Sequence, residues 1–516
     1  MQDTTHSIIK SARRFLSGTM LSRVFGMLRD VAMAYAFGTQ ESVAAFLVAF
    51  RLSHLMRRLF GEGALQSAFI PQFESLRQQD PKRAYGFFRT LALVLTLGLL
   101  MIITLSMLGL GAIWSFGGLS EGTREIVGLT FLLMPGLLFI CLYGLNASLL
   151  QCEKSYFTPG VAPMAFNVIA IAGVLSLRHL SATEAMPWFA GWVVFACMAQ
   201  WAVTVPRLLR ILAARRKELF HNLSFHLGDL RIFVKPLLLS FLGVGATQIN
   251  NALDAIFARF AQGEGPAYLW YALRIQQLPI ALFGVALAGA ILPPLTRALK
   301  SGDQAQFENF LIFGLQRTCG FIFPVTIAIW VMGDLGISVL FGRGDFGLDS
   351  ILGTAKCLLG YSFGLLPMVL VLVLAPAFYA QGNQRIPAIA SIIAVIANAS
   401  LDLLFIVGFG WGAVSVALAT SVSAWANVGI LAWKLKAMHP LLTKSFWQSI
   451  NRMALVSVTA GSLVLATRWL MFGKFFPEPQ RGFEGILQLL LQGGLFTLPL
   501  LLKYQSERVA QRKSEG

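Results

Sequence analysis

The residues with the clearest chemical potential in this sequence are cationic side chains inside long apolar segments. Nine residues share this setting: Arg23, Arg29, Arg51, Arg57, Arg58, Arg259, Arg274, Arg317 and Lys356. A Lys or Arg at the centre of a bilayer costs at least about 2.5 kcal/mol on insertion scales. A set of this size therefore predicts a functional role rather than chance.

The second apolar segment carries a polar stripe. Its members follow the helical spacing i, i+3, i+7 and i+11: Arg51, His54, Arg58 and Glu62. Arg57 lies beside the stripe, and His54 by itself is more typical of a packed helix residue than of a proton relay. A polar stripe on an otherwise apolar helix predicts a water-filled cavity rather than contact with lipid.

The first apolar segment adds Arg23 and Asp30 on one helical face and Arg29 on another. Because the arginines outnumber the acids, and planar guanidinium groups suit bidentate phosphate contacts, the set predicts an anion site. Arg274 is expected to face these residues from the eighth segment. The alternative is structural, with Arg23–Asp30 and Arg58–Glu62 ion pairs and other arginines reaching the membrane interface.

Acids without obvious cationic partners occur in the second half of the chain. Asn398 and Asp402 are four residues apart on one predicted helix, and Asp254 lies beside Asn250 on another. Together with the Thr420 hydroxyl, these oxygens predict a site that binds Na⁺ or exchanges a proton. The alternative is that both carboxyls are neutral or hydrogen-bonded between helices.

Composition excludes a soluble globular protein. The 516 residues are 56% hydrophobic and only 13% charged, with a formal net charge of +17. The five cysteines are single residues, mostly in apolar segments, and indicate neither a disulfide framework nor a zinc site. None of the common catalytic motifs is present in the sequence, so no enzyme activity and no cofactor is predicted beyond coupling to Na⁺, H⁺ or the membrane potential.

Long apolar segments of the sequence predict fourteen membrane helices, which would position these residues. The predicted spans are 14–37, 42–74, 88–116, 124–150, 158–177, 187–206, 232–262, 267–297, 309–333, 349–380, 386–408, 411–433, 448–472 and 484–503. Most basic residues between spans then fall on one side of the membrane. Those assigned to the opposite side are Arg124, Arg178, Arg343, Arg468, Lys474 and Arg481. The bias predicts cytoplasmic N- and C-termini.

Short internal similarities indicate a duplication. Residues 68–71 resemble residues 290–293, and residues 151–159 resemble residues 381–387, at nearly equal offsets. Two six-helix lobes related in this way are typical of transporters that alternate access around a central site. The predicted domains are an N-terminal lobe (1–206), a cytoplasmic amphipathic linker (207–231), a C-terminal lobe (232–438), and two last helices with a tail (439–516).

Five segments together resemble the MurJ (MviN) family of lipid II flippases, in the multidrug/oligosaccharidyl-lipid/polysaccharide exporter superfamily. They are SRVFGMLRD (22–30), AFLVAFRLSHLMRRLFGEGALQSAFIPQF (45–73), YALR (271–274) with GVALAGAILPPL (284–295), LFGRGDFG (340–347) and APAFYAQGNQRIP (375–387). The resemblance implies two six-helix lobes in a V shape and two extra helices that form a lipid-binding groove.

The resemblance also implies a set of central-cavity residues that engage the pyrophosphate-sugar head group: Ser22, Arg23, Arg29, Arg57, Glu62 and Arg274. Asp30, Arg51, His54 and Arg58 are possible additional cavity residues. The chain departs from the family where Ala44 and Leu273 replace acids that members often carry, and where Ser53 replaces a frequent proline.

The sequence therefore predicts a flippase for lipid-linked peptidoglycan precursor in the bacterial inner membrane, acting as a monomer on lipid II, without nucleic acid. Its role would be in peptidoglycan biosynthesis, and hence in cell wall biogenesis and cell shape. The main alternative is another transporter of the superfamily, either a lipid-linked oligosaccharide flippase or a cation-coupled drug exporter. A membrane enzyme acting on polyprenyl phosphates and a non-transporting scaffold are the remaining hypotheses.

Overall fold

A computed structural model describes the backbone of residues 5–60, 64–219, 227–438, 444–475 and 477–515. Within these ranges, side chains are described for residues 20–53, 55, 65–219, 228–238, 248–284, 287–435, 446–475 and 477–505. Every regular element in the described backbone is a helix. The expected all-α membrane architecture is therefore confirmed.

Residue contacts divide the chain into two compact units, Met1–Arg259 and Phe260–Gly516. The helices that begin in the first unit are α1 (Thr5–Phe37), α2 (Glu41–Phe60), α3 (Ala64–Gln79), α4 (Pro81–Phe116), α5 (Glu121–Leu133), α6 (Gly136–Cys152), α7 (Phe157–Leu177), α8 (Ala182–Ala214), α9 (Arg216–Leu219) and α10 (Leu227–Ala261). Most of α10 thus belongs to the first unit, and the sequence-based lobe boundaries remain a proposal.

The second unit contains the remaining helices. These are α11 (Gly265–Pro279), α12 (Val285–Lys300), α13 (Gln304–Phe341), α14 (Leu348–Ala380), α15 (Arg385–Leu403), α16 (Val414–Met438), α17 (Lys444–Phe472) and α18 (Gly482–Glu515). Two short π-helical segments extend α11 and α15: π1 (Ile280–Gly284) and π2 (Leu404–Gly408).

All fourteen predicted spans overlap helices of the structure, but the count of fourteen is not established. Ten helical spans in the described residues are long and apolar enough to cross a membrane, and the α5–α6 pair, bent by 45°, would make eleven. The other predicted spans lie on α1, on α2 with α3, and on α10. α1 and α2 carry charges that lower their mean hydropathy.

Capping residues set the ends of several of these helices. Asp80 accepts a hydrogen bond from the backbone N–H of Lys82 at 2.9 Å, and Pro81 starts α4 with a backbone angle suited to a first helical turn. Ser181 and Glu184 form a reciprocal capping box at the start of α8. These local signals fix where the chain leaves the apolar segments.

An aromatic cluster joins α3 to α4 in the first unit. The rings of Phe69 and Phe73 lie 5.3 Å apart. Tyr85 contacts Phe73 edge-on, and Phe87 is stacked on Phe69. All four side chains are fully buried. The cluster therefore fixes the angle at which α3 meets the beginning of α4.

Ionic contacts surround this end of the first unit. Arg77 on α3 pairs with Glu74 at 2.6 Å and with Glu153 at 3.0 Å, and the Tyr85 hydroxyl donates to Glu153 at 2.9 Å. Partial burial opposes the charged form of Arg77, but the two carboxylates outweigh that effect and raise its pKa. The network links α3, α4 and the end of α6.

The segment predicted as an amphipathic linker is docked on α4. Residues 207–214 continue α8, and residues 220–226 lie outside the described residues. Arg89 donates to the Leu219 carbonyl at 3.0 Å, and Arg83 holds the buried Asp229 carboxylate through two nitrogens at 2.9 and 2.5 Å. These contacts attach α9 and the start of α10 to the first unit.

The last two helices pack on α13 in the second unit. Arg468 on α17 is 1% exposed, pairs with Asp334 on α13 at 3.3 Å and donates to Gln492 on α18 at 3.0 Å. The side-chain hydroxyl of Ser338 on α13 also donates to the Gln480 carbonyl at 2.7 Å. Arg468 thus lies within the predicted span 448–472, where neighbouring helices neutralise and bury its charge, and its assignment to the outer side of the membrane stays a prediction.

We expect Arg468→Leu to destabilise the protein strongly, since it leaves the Asp334 carboxylate without its cation between packed helices. Breaking one side of a buried ion pair costs about 3–5 kcal/mol, whereas replacing both sides by apolar residues is often neutral. The double variant Asp334→Leu/Arg468→Leu should therefore unfold at a higher temperature than Arg468→Leu alone.

Thermal unfolding of the purified protein in detergent measures this difference. Arg452→Leu, an exposed arginine on the same helix, serves as the matched control and should leave the unfolding temperature nearly unchanged. A double variant less stable than Arg468→Leu would contradict the account.

Candidate functional site

Arg29 on α1 is held in place by two neighbouring side chains. Its Nε and Nη2 donate to Asp30 Oδ1 at 3.2 and 2.8 Å, and its Nη1 donates to Asn167 Oδ1 on α7 at 3.2 Å. Phe166 lies under the guanidinium, with the ring centroid 5.8 Å away. A cation fixed by a carboxylate, an amide and a ring is oriented before any ligand arrives.

Asn167 also ties α7 back to the α1 backbone. Its Nδ2 donates to the Ser22 carbonyl at 3.2 Å and to Pro163 within its own helix at 3.0 Å. A Cβ at Gly26 would lie 3.7 Å from Asn167 Nδ2, which is an ordinary van der Waals distance, so this contact does not depend on a glycine. The sequence-predicted residues Ser22 and Arg29 are thus brought together through Asn167.

Arg23 has a different environment from Arg29. It is exposed, and no ion pair within the described residues involves it. The structural alternative of an Arg23–Asp30 pair is therefore wrong, because the adjacent Arg29 takes the Asp30 carboxylate. Arg23 contributes an accessible positive charge to the described part of α1.

Part of the predicted stripe on α2 lies outside the described residues. This holds for the side chains of His54, Arg57 and Arg58 and for all of Glu62. Arg51 is described, and its Nη1 donates to the Asn251 carbonyl on α10 at 3.0 Å. In this structure Arg51 therefore contacts a backbone carbonyl.

Two positions at which the resemblance led us to expect acids differ in burial. Ala44 on α2 is 0% exposed, whereas Leu273 on α11 is only partly buried. Ser53, at which the resemblance led us to expect proline, donates to the Ala49 carbonyl one turn earlier at 3.0 Å and so adds a side-chain contact within the helix. Position 44 has no space for a solvated carboxylate.

Arg274 lies on α11 in the second unit. Its guanidinium is stacked over Trp270, 4.4 Å from the ring centroid, and its Nη1 donates to Gln277 at 3.5 Å. Pro279 lacks a backbone N–H, and the wider turns of π1 begin directly after it. Such π segments often occur at functional sites.

A buried polar cluster in the second unit contains two of the side chains predicted to bind a cation, whereas the Thr420 hydroxyl donates to the Val416 carbonyl of its own helix at 2.9 Å. Asn398 Nδ2 donates to Asp402 Oδ2 at 3.3 Å, and both side chains on α15 are fully buried. Ser423 on α16 lies 3.5 Å from Asn398 Oδ1 and donates to the Thr420 carbonyl at 2.9 Å. The π2 segment starts two residues after Asp402. The cluster gathers one carboxylate with amide and hydroxyl oxygens.

Asp254, the other predicted cation ligand, is buried on α10 in the first unit. Asn250 Nδ2 donates to its two oxygens at 3.3 and 3.5 Å. The arrangement repeats the Asn398–Asp402 pair at the same i, i+4 spacing. The equal spacing, which is visible in the sequence, is the signal common to both pairs.

Sequence reasoning missed Asn167 and Ser423. Neither is charged, and each acts through a helix distant in sequence from the residue that it contacts. An asparagine in an apolar segment is itself a weak signal, since an amide buried among apolar side chains requires a partner.

We expect Ala44→Asp to destabilise the protein more than Leu273→Asp, because only the first places a new carboxylate in a fully buried position. A buried polar group without a partner costs about 1–3 kcal/mol, and more when it is charged. Thermal unfolding of both variants, with Ala44→Asn and Leu273→Asn as uncharged controls of equal size, measures the effect. Equal losses at the two positions would contradict it.

Comparisons with known proteins place this chain in a family. The family model described as "Lipid II flippase MurJ" matches residues 33–479. A relative from Chlamydia muridarum is 32% identical over 450 residues, covering 87% of this chain and 82% of its own length. A relative from Vibrio cholerae is 29% identical over 497 residues, covering 90% and 91%. Both carry the name "Probable lipid II flippase MurJ".

Solved structures agree at the level of fold. The structure titled "Lipid II flippase MurJ, inward closed conformation" has a TM-score of 0.77 at 22% identity, covering 95% of this chain and 99% of its own. An inward-facing multidrug resistance MATE transporter of the MOP superfamily has a TM-score of 0.65 at 15% identity, covering 83% and 98%. The family model covers most of the chain, and the expected resemblance is confirmed. The chain belongs to the lipid II flippase MurJ family.

Proposed function

We propose that this chain moves lipid II from the cytoplasmic to the periplasmic leaflet of the bacterial inner membrane. The family match over residues 33–479 carries the proposal, and the names of its relatives supply the substrate. The family is one of transporters, so the chain is a multi-pass membrane transporter and not an enzyme. Lipid II then leaves the protein chemically unchanged.

The pyrophosphate of lipid II is the proposed ligand of the membrane arginines. Arg29 directs three N–H groups toward Asp30 and Asn167, which leaves two of its five donors for a phosphate oxygen. Arg23 adds an exposed cation on the same helix. We propose Ser22, Arg57 and Glu62 as further head-group contacts of the first unit.

Arg274 is the proposed pyrophosphate contact of the second unit. Its guanidinium plane is fixed over Trp270, which lowers the entropy lost when a phosphate binds. Arg51, His54, Arg58 and Asp30 remain proposed additional cavity residues. The head group would pass through an alternating-access cycle while the polyprenyl tail stays in lipid, in a monomer with both termini in the cytoplasm.

Two related activities are less well supported by the charges. A drug exporter for cationic compounds needs an acidic, aromatic cavity. The arginines of α1, α2 and α11 would instead repel a cationic substrate. A flippase for lipid-linked oligosaccharides shares the pyrophosphate chemistry, so it stays the nearest alternative and differs in the sugar that is moved.

We expect depletion of the protein in its host to leave lipid II intact but protected from a cleaving enzyme added outside the cells. Rescue by Arg29→Gln or Arg274→Gln should restore roughly tenfold less access than the wild type at equal protein levels, since each removes charge-assisted hydrogen bonds to phosphate. Arg317→Gln is the matched control, because Arg317 is stacked on Phe313 and has no proposed role.

Unchanged access after depletion, in cells without a second flippase, would contradict the proposed substrate. Full rescue by both arginine variants would contradict the site while leaving the substrate in place. The two outcomes separate the function from its residues.

We also propose that Asp402, Asn398 and Thr420 bind Na⁺ in the second unit, with proton exchange at Asp402 as the alternative. Hard cations prefer carboxylate, amide and hydroxyl oxygens, and the fully buried Asp402 and Asn398 bring the first two kinds together. Asp254 is proposed as a second cation-responsive acid on α10.

NaCl should therefore raise the unfolding temperature of the purified protein relative to KCl at equal ionic strength, since a ligand that binds only the folded state stabilises it. Asp402→Asn is expected to abolish the difference, and Asp349→Asn, an exposed acid in the first turn of α14, is expected to keep it. Asp254→Asn is measured separately. A sodium effect that survives Asp402→Asn would contradict this site.

A further inference from the structure

A cavity of about 670 Å³ lies between α4 and α5, with Pro187 of α8 at its edge. It is within the first unit, at the end of α4 opposite Arg83 and Arg89, on the side that the charge bias assigns to the periplasm. Its volume is in the range of sites that hold small ligands. None of the proposed head-group or cation residues lines it.

Most of the cavity wall is apolar, but it contains an acid in an unusual state. Oε1 of Glu125 is buried and has no hydrogen-bond partner in the described residues. Leaving a carboxylate oxygen against an apolar wall is costly unless a donor meets it. The cavity therefore fits a ligand that presents an N–H donor, above all a cationic one, to Glu125.

A cation stands beside this acid. Arg124 lines the same cavity, and its guanidinium is stacked over Trp114 at 4.4 Å from the ring centroid. Within the described residues Arg124 makes no ion pair, so its charge is available to an anionic group. The cavity thus offers two acids, Glu121 and Glu125, and one cation, Arg124, which is adjacent in sequence to the unpartnered Glu125.

An apolar surface continues from the cavity along α4. Leu97, Met101, Leu105 and Leu108 are exposed at helical spacing, and the lining residues Gly111 and Ser115 continue that spacing. Trp114 lies near the end of α4, a position typical of tryptophan at a membrane interface. A ligand with a polar head group and long acyl chains would fit both the cavity and the apolar stripe on α4.

We propose that this cavity binds the head group of an aminophospholipid. The primary ammonium would donate to Glu125, the phosphate would pair with Arg124, and the acyl chains would lie along the α4 stripe. Phosphatidylglycerol offers only neutral hydroxyl donors, and the trimethylammonium of phosphatidylcholine has no N–H donor, so neither supplies the cationic N–H group proposed for Glu125. The site is separate from the proposed transport site.

Native mass spectrometry of the purified full-length protein tests the proposal. The protein is exposed to an equal mixture of phosphatidylethanolamine, phosphatidylcholine and phosphatidylglycerol with identical acyl chains. The wild type should retain phosphatidylethanolamine preferentially, and Glu125→Gln should lower that preference roughly tenfold. Asp345→Asn, an exposed acid of the second unit, is the matched control and should keep it.

A second pair of variants tests the cavity itself. Gly111 lines it and has open space where a Cβ would lie, so Gly111→Leu should fill the cavity and reduce retention of all three lipids. Gly109→Leu, on the same helix and equally unobstructed but not lining the cavity, should have no effect.

Equal retention of the three lipids by the wild type would overturn the proposal, because it would leave only an apolar groove. An unchanged preference in Glu125→Gln would overturn it as well. If Glu125→Gln does not fold, the Gly111→Leu and Gly109→Leu pair decides, and equal lipid retention by those two variants rejects the site.

Discussion

The dominant constraint on this structure is the cost of a charge in an apolar medium. Asp30 and Asn167 offset this cost for Arg29 through hydrogen bonds, and Asp334 and Gln492 offset it for Arg468. In each case the partners include a residue on another helix, so neutralising a charge also fixes how helices pack. The same groups that make the chain poorly suited to lipid therefore help to specify its fold.

This constraint also separates two kinds of arginine. Arg468 is enclosed, and its donors are directed to residues of α13 and α18, so it stabilises the C-terminal helix pair. Arg29 keeps donors for a further acceptor, and Arg23 is exposed. A head-group site requires the second kind, because a fully satisfied arginine would have to break its own contacts before it bound phosphate.

Backbone irregularities occur near the proposed sites of the second unit. π1 follows Arg274 by less than two turns, and π2 follows Asp402 almost directly. A π turn releases a regular helical hydrogen bond and changes the direction of the side chains around it. Such a segment gives a membrane helix local adaptability without exposing its backbone to lipid.

The sequence by itself determined the helical class, the approximate position of the helices on which the predicted spans lie, the family, and the unusual residues Arg29, Arg274, Asp254 and Asp402. Hydropathy and i, i+4 spacing are local properties, and a sequence displays them directly. Only the tertiary structure decided which partner each charge takes: Arg29 rather than Arg23 for Asp30, and Asp334 for Arg468. It also determined the contacts of Asn167 and Ser423 and the cavity beside Glu125. These features depend on helices that are distant in the chain, and the free energy of pairing a charge depends on that three-dimensional neighbourhood.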